Sequence, residues 1–332
     1  MLVSLQPETL AALQNKKNLL AFSSGSDSSA LFHLLLQLRI DFDMIHVNYK
    51  TRRQSDAEEA HARMLAATHN KRCFSKCVTL KSSDLEHQAR TQRYAFFHET
   101  ILQHGYDNLI TAHQLNDRLE WLLMQLCKGA GLYELIGMEQ IEPREHYTLL
   151  RPLLHVNSDT ITQYLKHHNI EHFIDESNHD TTFERNFVRK HYATPLLQNH
   201  ANGIAKSFEY LEEDIAALVH QSDFFHVNQL SYFKLPPNRR STLIAIDTLL
   251  KMRGCVMSSN EKNLLKSRNT LVVSRSYVVT IGDQYCFVAP YITTVMSRSF
   301  KEQCRRLHIE PKLRGYLYSD AESFACVCSL LM

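Results

Sequence analysis

The chain has 332 residues, of which 37 are basic and 35 acidic, and its hydrophobic content is 44%. Its nine glycines and eight prolines are well below the average shares of about 7% and 5%, which excludes collagen-like and Gly/Pro-rich disordered chains. This length exceeds what one hydrophobic core usually serves, so we expect two domains.

The net charge of +2 is unevenly distributed along the chain. Residues 1–200 carry 21 basic and 23 acidic side chains, whereas residues 201–332 carry 16 and 12. Within the second part, residues 234–314 hold 15 basic and 5 acidic side chains, a local excess of ten positive charges. Such a stretch could hold a polyanion by counterion release, or it could be an ordinary solvated surface.

The cysteine pattern and the N-terminus indicate where the protein works. The eight cysteines include no CxxC pair, so the cysteines and histidines do not form a zinc-finger pattern. The N-terminus lacks a basic region followed by an apolar segment, and no stretch approaches the ~18 apolar residues of a membrane span. We therefore expect a soluble, reduced, cytoplasmic protein without a membrane partner.

Short apolar runs alternate with helical patterns in the first part of the chain. The runs predict buried strands at residues 17–22, 42–47, 73–78 and 108–112. The patterns between them predict helices at residues 29–36, 55–68, 84–104 and 116–128. This alternation indicates βαβ units and a doubly wound, mostly parallel sheet with helices on both faces. Ligands bind such sheets beyond the carboxyl ends of the strands, so the loops after the first, second and fourth strands are candidate sites.

The alternation stops at residue 151. Further helices are predicted at residues 158–168, 187–198, 204–220 and 240–252. Strands are predicted at residues 270–274, 277–281 and 285–289, with a hairpin turn at Gly282 between the last two. We expect a catalytic domain over residues 1–200 and a smaller, basic α+β domain over residues 201–332.

The loop after the first strand combines hydroxyls, backbone amides and one glycine at the start of a helix. It consists of Ser23, Ser24, Gly25, Ser26, Asp27 and Ser28. Free N–H groups and a partial positive charge at a helix N-terminus suit an anion such as a phosphate. The loop lacks the lysine of a GxxxxGK[ST] motif, and a carboxylate beside a phosphate needs a cation between them, so Asp27 suggests Mg²⁺. A plain serine N-cap is the alternative interpretation.

The fourth strand leads into a helix that carries an imidazole and two carboxylates. His113 and Asp117 are four residues apart, and Glu120 follows Asp117 by three, so all three lie on one helical face. That face would look across the edge of the sheet toward Asp27. Asp27 and Asp117 are therefore candidate metal ligands, although an exposed polar helix start would have the same pattern.

Two arginines on the preceding helix are one turn apart. Arg93 is a candidate clamp for a phosphate. Arg90 could instead belong to a routine surface pair with Glu86, which would contribute only a few tenths of a kcal/mol.

The order of these motifs resembles the tRNA(Ile)-lysidine synthetase family of PP-loop ATP pyrophosphatases. The matching segments are AFSSGSDSS, HVNYKTR, LEHQARTQRYAFF, TAHQLNDRLEWLL, KGAGLYELIGM, RPLL and DESNHDTTFERNF. Several families share the PP-loop, whereas the later segments, at 151–154 and 175–187, are much more specific. The resemblance covers roughly residues 15–200.

The chain departs from the family pattern at a few positions. Ser24 replaces the first glycine of the loop, and the pair Tyr49 and Lys50 stands where His-Gly is usual. Gln114 stands where histidine is frequent, and Trp121 replaces threonine. None of the changes removes an acidic residue of the candidate site.

The resemblance implies ATP-dependent attachment of free L-lysine to the wobble cytidine of a tRNA(Ile) with a CAU anticodon. The cytidine would first be adenylated, and AMP and pyrophosphate would leave. ATP and Mg²⁺ are the implied cofactors, and a homodimer is compatible with the pattern. Catalytic roles are implied for Asp27, Arg93, Asp117 and Glu120, and nucleotide binding for the PP-loop and His113. Contacts with tRNA or lysine are implied for Arg151, Asp175, Glu176, Asn178, Arg185, Asn186, Arg189, Arg305 and Arg306.

Three alternative functions stay open at this point. A tRNA thiolase of the same superfamily would need sulfur-carrying cysteines, and the absence of CxxC disfavours it. An amide-forming synthetase would normally bring a glutamine-hydrolysing domain, for which 332 residues leave little room. The third is a non-catalytic RNA-binding protein with a decayed loop.

Overall fold

The computed structural model describes residues 3–50, 54–79, 85–174, 184–218 and 222–331. Contacts divide the chain into two compact units, Met1–Glu212 and Glu213–Met332. The boundary was predicted between residues 200 and 201. That position and the boundary between the two units both lie inside one long helix, Thr194–Leu218. The first unit extends past residue 200 because Phe208 packs in a cluster with Leu119, and Glu212 pairs with Arg118.

The first unit contains one six-stranded sheet in the order β3-β2-β1-β4-β6-β5. All neighbours are parallel except β5, which runs antiparallel to β6. This confirms the doubly wound, mostly parallel sheet, whereas the short strands β5 and β6 were not predicted. The strands are β1 Asn18–Ala21, β2 Phe42–Asn48, β3 Cys73–Cys77, β4 Asn108–Ile110, β5 Ile141–Pro143 and β6 Thr148–Leu150.

The helices of this unit follow the predicted alternation. Two additional short helices are present, Pro7–Leu13 before β1 and Leu132–Ile136 after the helix that follows β4. A π-helical turn, Arg189–Ala193, joins the helix Glu184–Val188 to the helix Thr194–Leu218, and the second of these is kinked at His200. The helices are α1 Pro7–Leu13, α2 Ser26–Gln37, α3 Ser55–Thr68, α4 Leu85–His104, α5 Leu115–Cys127, α6 Leu132–Ile136, α7 Ser158–His167, α8 Glu184–Val188 and α9 Thr194–Leu218.

The sheet is buried on both faces. Leu19 of β1 packs in one cluster with Phe97 of α4, and the next residue, Leu20, packs in another with Phe32 of α2. Side chains of successive strand residues point to opposite faces, so both faces must be apolar. This is why the strands appear in the sequence as continuous apolar runs rather than as alternating ones.

The strand order brings two loops together. β1 lies between β2 and β4, so the chain leaves β1 toward one side of the sheet and later returns on its other side. At such a switch point the loops beyond the carboxyl ends diverge and leave a crevice. The loops after β1 and β4, which carry Asp27 and Asp117, border this crevice.

The second unit is an antiparallel sheet, in the order β7-β8-β11-β10-β9, with helices on both faces. Val279 packs in one cluster with residues of α10 and α11, and Val278 packs in another with residues of α12 to α14. This confirms a smaller α+β domain, and the Gly282 turn is closed by a bond from its N–H to the Tyr285 carbonyl at 2.9 Å. The elements are β7 Phe225–Val227, β8 Leu230–Lys234, α10 Arg239–Met252, α11 Ser259–Ser267, β9 Thr270–Val273, β10 Tyr277–Ile281, β11 Tyr285–Pro290, α12 Arg298–Arg306, α13 Arg314–Ser319 and α14 Ala321–Leu331.

Candidate active site

The loop between β1 and α2 is held by its own serines. The Ser28 hydroxyl accepts from the Ser23 backbone N–H at 3.2 Å and donates to the Gly25 carbonyl at 3.1 Å, and the Ser23 and Ser28 hydroxyls are 3.0 Å apart. Gly25 is the N-cap of α2. The loop is therefore preformed, with the N-terminus of α2 directed into the crevice, which is the arrangement that binds phosphates.

Ser24 has an unusual backbone conformation in this loop. Its φ is +64°, in the left-handed region that favours glycine, and its side chain is fully buried. The hydroxyl donates to the Glu58 carbonyl of α3 at 2.8 Å, and the Ser24 carbonyl accepts from the Phe173 N–H at 2.9 Å. These bonds hold Ser24 in a conformation that favours glycine, which is the residue at this position in the lysidine synthetase pattern.

Substitutions at Ser24 should separate backbone strain from the hydrogen bond. We expect Ser24→Gly to change the unfolding free energy by less than about 1 kcal/mol, because relief of strain offsets the lost bond. Ser24→Ala keeps the strain and removes the hydrogen bond from the hydroxyl to the Glu58 carbonyl, so it should cost about 1–2 kcal/mol. Urea unfolding of the two variants tests this, and an alanine variant as stable as the wild type would contradict it.

Asp27 stands in the first turn of α2. Its Oδ2 accepts from the Gln114 side-chain amide at 2.9 Å, and its Oδ1 accepts from the Ser26 hydroxyl at 3.2 Å. Burial and the negative charge of Asp117 raise the pKa of Asp27 to about 6. Asp27 is still mostly charged at neutral pH, but its charge is more costly than in water, and a cation held at this position would relieve the cost.

A cavity of about 220 Å³ opens beside Asp27. Its walls come from the segments that follow β1, β2 and β4 and from one side of α4. Most of the wall is apolar or aromatic, with a carboxylate, a guanidinium and an imidazole among the polar groups. The lining residues are Ala21, Phe22, Ser23, Asp27, Ser28, Ile45, Val47, Tyr49, Arg93, Tyr94, Phe97, Thr111, Ala112 and His113.

Arg93 and His113 lie in this cavity in different charge states. Among the residues that the structure describes, Arg93 has no carboxylate partner, so its guanidinium is available to an anion. Burial and the positive charges of nearby arginines, first among them Arg151, lower the pKa of His113 to about 3. His113 is therefore neutral, and its Nδ1 lies 2.9 Å from the Thr111 hydroxyl.

Two carboxylates of α5 are held by two arginines from α8 and the π turn. Glu120 is fully buried and accepts from Arg185 Nε at 2.8 Å and from Arg189 Nε at 2.6 Å. Asp117 Oδ1 binds Arg185, and its Oδ2 accepts from the Gln114 backbone N–H at 3.0 Å as a helix cap. We call Asp117, Glu120, Arg185 and Arg189 the carboxylate clamp.

The clamp changes the interpretation of several predicted residues. Arg185 and Arg189 were predicted to contact tRNA or lysine, but both bind carboxylates inside the protein. Asp117 was predicted to bind a metal with Asp27, but its Oδ1 already forms an ion pair with Arg185. Asp27 has no ion pair within the described part of the chain, so it fits a magnesium ligand better than Asp117 does.

The other predicted contact residues are in different surroundings. Arg151 is 5% exposed and donates to Glu142 at 2.7 Å and to the Glu139 carbonyl at 2.6 Å, so burial excludes it from an RNA-binding surface. Asn186 lies on α8. Arg305 and Arg306 are exposed on α12 of the second unit. Asp175, Glu176 and Asn178 lie outside the described residues.

Two residues that sequence reasoning treated only as departures from a pattern belong to the site. Gln114 caps α5 and donates to Asp27, and Tyr49 lines the cavity while its hydroxyl donates to the Ala89 carbonyl at 3.1 Å. Tyr49 directly follows β2, and Gln114 lies between β4 and α5. These positions could have indicated that both residues belong to the site, because loops at those strand ends border the crevice.

Trp121 of α5 restricts the loop that follows α6. Its indole N–H donates to the Glu134 carbonyl at 2.9 Å. Gly137 has a φ of +65°, and a Cβ there would lie 1.9 Å from the Trp121 ring. The tryptophan that departs from the resembled family thus packs directly against a glycine.

The described ranges contain neither a cluster of metal-binding side chains nor a membrane-spanning helix. No group of three or more His, Cys, Asp or Glu side chains is placed to hold a metal ion. None of the helices found there has the length and apolar character needed to cross a membrane.

Comparison with known proteins gives consistent matches. A family described as "PP-loop domain" matches residues 3–196. A tRNA(Ile)-lysidine synthase of Campylobacter jejuni is 42% identical over 319 residues, covering 96% of this chain and 97% of that protein. The corresponding protein of Wolinella succinogenes is 40% identical over 318 residues, with 96% and 97% covered. That of Helicobacter pylori is 38% identical over 314 residues, with 94% and 91% covered.

A solved structure shares the fold at low sequence identity. It is a U34-tRNA thiolase from Methanococcus maripaludis with its [4Fe-4S] cluster, which is 15% identical with a TM-score of 0.51. The match covers 62% of this chain and 77% of the thiolase. At this identity the similarity extends to the fold alone.

Proposed function

This chain belongs to the tRNA(Ile)-lysidine synthase family of PP-loop proteins, and we propose that it ligates free L-lysine to the wobble cytidine of tRNA(Ile) with ATP. The observation that carries the proposal is the match over nearly the whole length of the named relatives, at up to 42% identity. The PP-loop provides an anion-binding site for this function, the cavity provides room for a nucleoside, and the carboxylate clamp provides acidic groups.

The reaction has two steps. The C2 carbonyl oxygen of cytosine attacks the α-phosphate of ATP, an O–P bond forms, and pyrophosphate leaves. The lysine ε-amine then attacks C2, a C–N bond forms, AMP leaves with the former carbonyl oxygen, and the amine releases a proton. In the first step the negative charge grows on pyrophosphate, so the protein must stabilise it there.

Three groups of this chain are suited to that charge. The N-terminus of α2 points its free N–H groups into the crevice, and the serine bonds keep the loop in place before ATP arrives. Arg93 brings to the same cavity a guanidinium that has no carboxylate partner among the described residues. Mg²⁺, held by Asp27, would supply further positive charge between the phosphates when bound.

The cavity suits the nucleoside part of ATP. Its apolar and aromatic wall includes Val47, Tyr94 and Phe97, which fits a flat, weakly polar base. His113 is neutral, so it would act as a hydrogen-bonding group rather than as a phosphate-binding cation. The polar groups lie toward Asp27, so the phosphates would be directed to the PP-loop.

A carboxylate is needed beside the lysine amine. The ε-amine must lose a proton to attack, so it needs a nearby acceptor. Glu120, or Asp175 and Glu176, are the candidates for orienting the amine or accepting its proton, and Glu120 would have to exchange a bond with Arg185 or Arg189 for one with the amine. Phe173, two residues before Asp175 in the chain, pairs through its backbone with Gly25 of the PP-loop.

A single assay tests the proposed function. The purified chain is incubated with ATP, Mg²⁺, radiolabelled lysine and tRNA(Ile) transcribed with a CAU anticodon. We expect label in the tRNA and equal amounts of AMP. Sulfur transfer would indicate a thiolase, a requirement for glutamine would indicate an amide synthetase, and RNA binding without any label would indicate a non-catalytic protein.

Affinity for tRNA is assigned to the basic stretch at residues 234–314. Arg305 and Arg306 end α12 and are exposed, with Arg305 making a 3.4 Å contact to Glu302. We expect the charge reversal Arg305→Glu with Arg306→Glu to weaken tRNA binding and to flatten the slope of log Kd against log salt by about one per lost phosphate contact. Filter binding at several salt concentrations measures both, and an unchanged slope would contradict this role.

A further inference from the structure

An aromatic cluster lies exposed on the segment that carries the clamp arginines. Phe187 of α8 is 43% exposed, and Tyr192 of the π turn is 51% exposed. The Phe187 ring centroid is 4.6 Å from the imidazole of His191 and 5.9 Å from the Tyr192 ring. Three aromatic rings are thus placed side by side at the surface; Phe187, His191 and Tyr192 are called the aromatic surface below.

The aromatic surface and the clamp arginines belong to one helical segment. Phe187 stands midway between Arg185 and Arg189, and residues two apart on a helix face away from each other, so Phe187 points away from the carboxylates that these arginines bind. Tyr192 follows Arg189 by three residues, in the π turn. The segment that holds two acidic residues of the candidate site thus also presents aromatic rings to solvent.

The charge around the rings favours a polyanion. Lys190 lies between the aromatic residues, is exposed and has no carboxylate partner among the described residues. Glu184 at the start of α8 is 3.7 Å from Lys128, so its charge is balanced. Aromatic rings interleaved with a free cation are typical of surfaces that bind single-stranded nucleic acid.

We propose that the aromatic surface stacks the unpaired anticodon-loop bases that flank the target cytidine. The inference rests on the proposed function. A base that enters the PP-loop site must leave the stack of the loop, and its neighbours then lose a stacking partner. Exposed aromatic side chains on the segment that holds Asp117 and Glu120 would restore that contact, in the way that proteins recognise single-stranded RNA.

The test uses a fluorescent anticodon stem-loop. The probe carries 2-aminopurine immediately 3′ of the target cytidine, and stacking on an aromatic ring quenches it. With the full-length chain we expect quenching on binding, and we expect Phe187→Ala with Tyr192→Ala to abolish the quenching and to weaken binding about tenfold or more. The slope of log Kd against log salt should not change, because no phosphate contact is lost.

Matched variants separate stacking from other roles of the surface. Tyr210→Ala removes a ring that is 55% exposed further along α9, next to Lys206 at 4.6 Å, and should leave binding within about twofold. Phe187→Trp and Tyr192→Phe keep a flat ring and should keep the quenching. Phe187→Leu with Tyr192→Leu keeps apolar area without a ring and should lose it.

Three results would overturn the inference. The first is a double-alanine variant that binds and quenches like the wild type, and the second is a double-leucine variant that does so. The third is a wild-type dimer in sedimentation that the double-alanine change dissociates without affecting the probe, because the rings would then join two copies of the chain. A wild type that transfers no lysine would refute the proposed function instead.

Discussion

Replacement of Asp27 by alanine is expected to abolish ATP-dependent lysine transfer, with a loss on the order of a thousandfold or more. Asp27 is the carboxylate of the nucleotide cavity, at the N-terminus of α2, and it has no ion pair within the described part of the chain. It is therefore the group that can bring a divalent cation to the phosphates. Radiolabelled lysine incorporation measures the loss, and filter binding should show tRNA affinity within about twofold of wild type.

Asp27→Asn is the matched control for folding. It keeps the shape of the side chain and one acceptor oxygen, replaces the other oxygen with an amide donor, and removes the charge. Because burial raises the pKa of Asp27 to about 6, the charged form opposes folding at neutral pH, and the melting temperature of Asp27→Asn should equal or exceed that of the wild type. Equal losses of transfer and tRNA binding would assign Asp27 a role in folding instead.

The largest effect on stability is expected at Glu212. Arg118 of α5 is fully buried, its Nη2 binds Glu212 of α9, and its guanidinium lies 4.2 Å from the centre of the Phe208 ring. Glu212→Ala would leave a buried cation without a counterion, which should cost about 3 kcal/mol. For a unit of this size the melting temperature should fall by about 10 °C, as measured by circular dichroism.

A surface pair on the same helix provides the control. Glu209 binds Lys206 at 2.8 Å with both side chains exposed, so Glu209→Ala should change the melting temperature by only about 1–2 °C. Arg118→Met combined with Glu212→Leu removes both charges and should recover most of the stability. A small loss in Glu212→Ala, equal to that in Glu209→Ala, would show that solvent screens the Arg118 charge.

The central sheet could be predicted because each of its first four strands is a compact apolar run. Other elements were not predicted although local signals existed. Ser258 accepts from the Glu261 N–H while the Glu261 side chain accepts in return, which is a capping box that marks the start of α11. Ser297 caps α12 in a similar way. These serines lie between weakly apolar segments, so periodicity alone did not distinguish them from loop residues.

The site could be predicted in part, for a physical reason. The loop residues at the ends of β1 and β4 follow from strand order, because parallel strands carry their carboxyl ends to one edge. The partners of Arg185 and Arg189 depend on how α8 packs against α5, across 65 or more residues of sequence. An arginine in the sequence is compatible with solvent, RNA or a carboxylate, and packing decides among these.

The contact between Trp121 and Gly137 constrains how the two positions can evolve. With a Cβ at 137 excluded by the indole ring, Gly137 cannot be exchanged while Trp121 is kept, whereas a smaller residue at 121 is compatible with Gly137. In an alignment of relatives, non-glycine residues at 137 should therefore be confined to chains that carry a small side chain at 121.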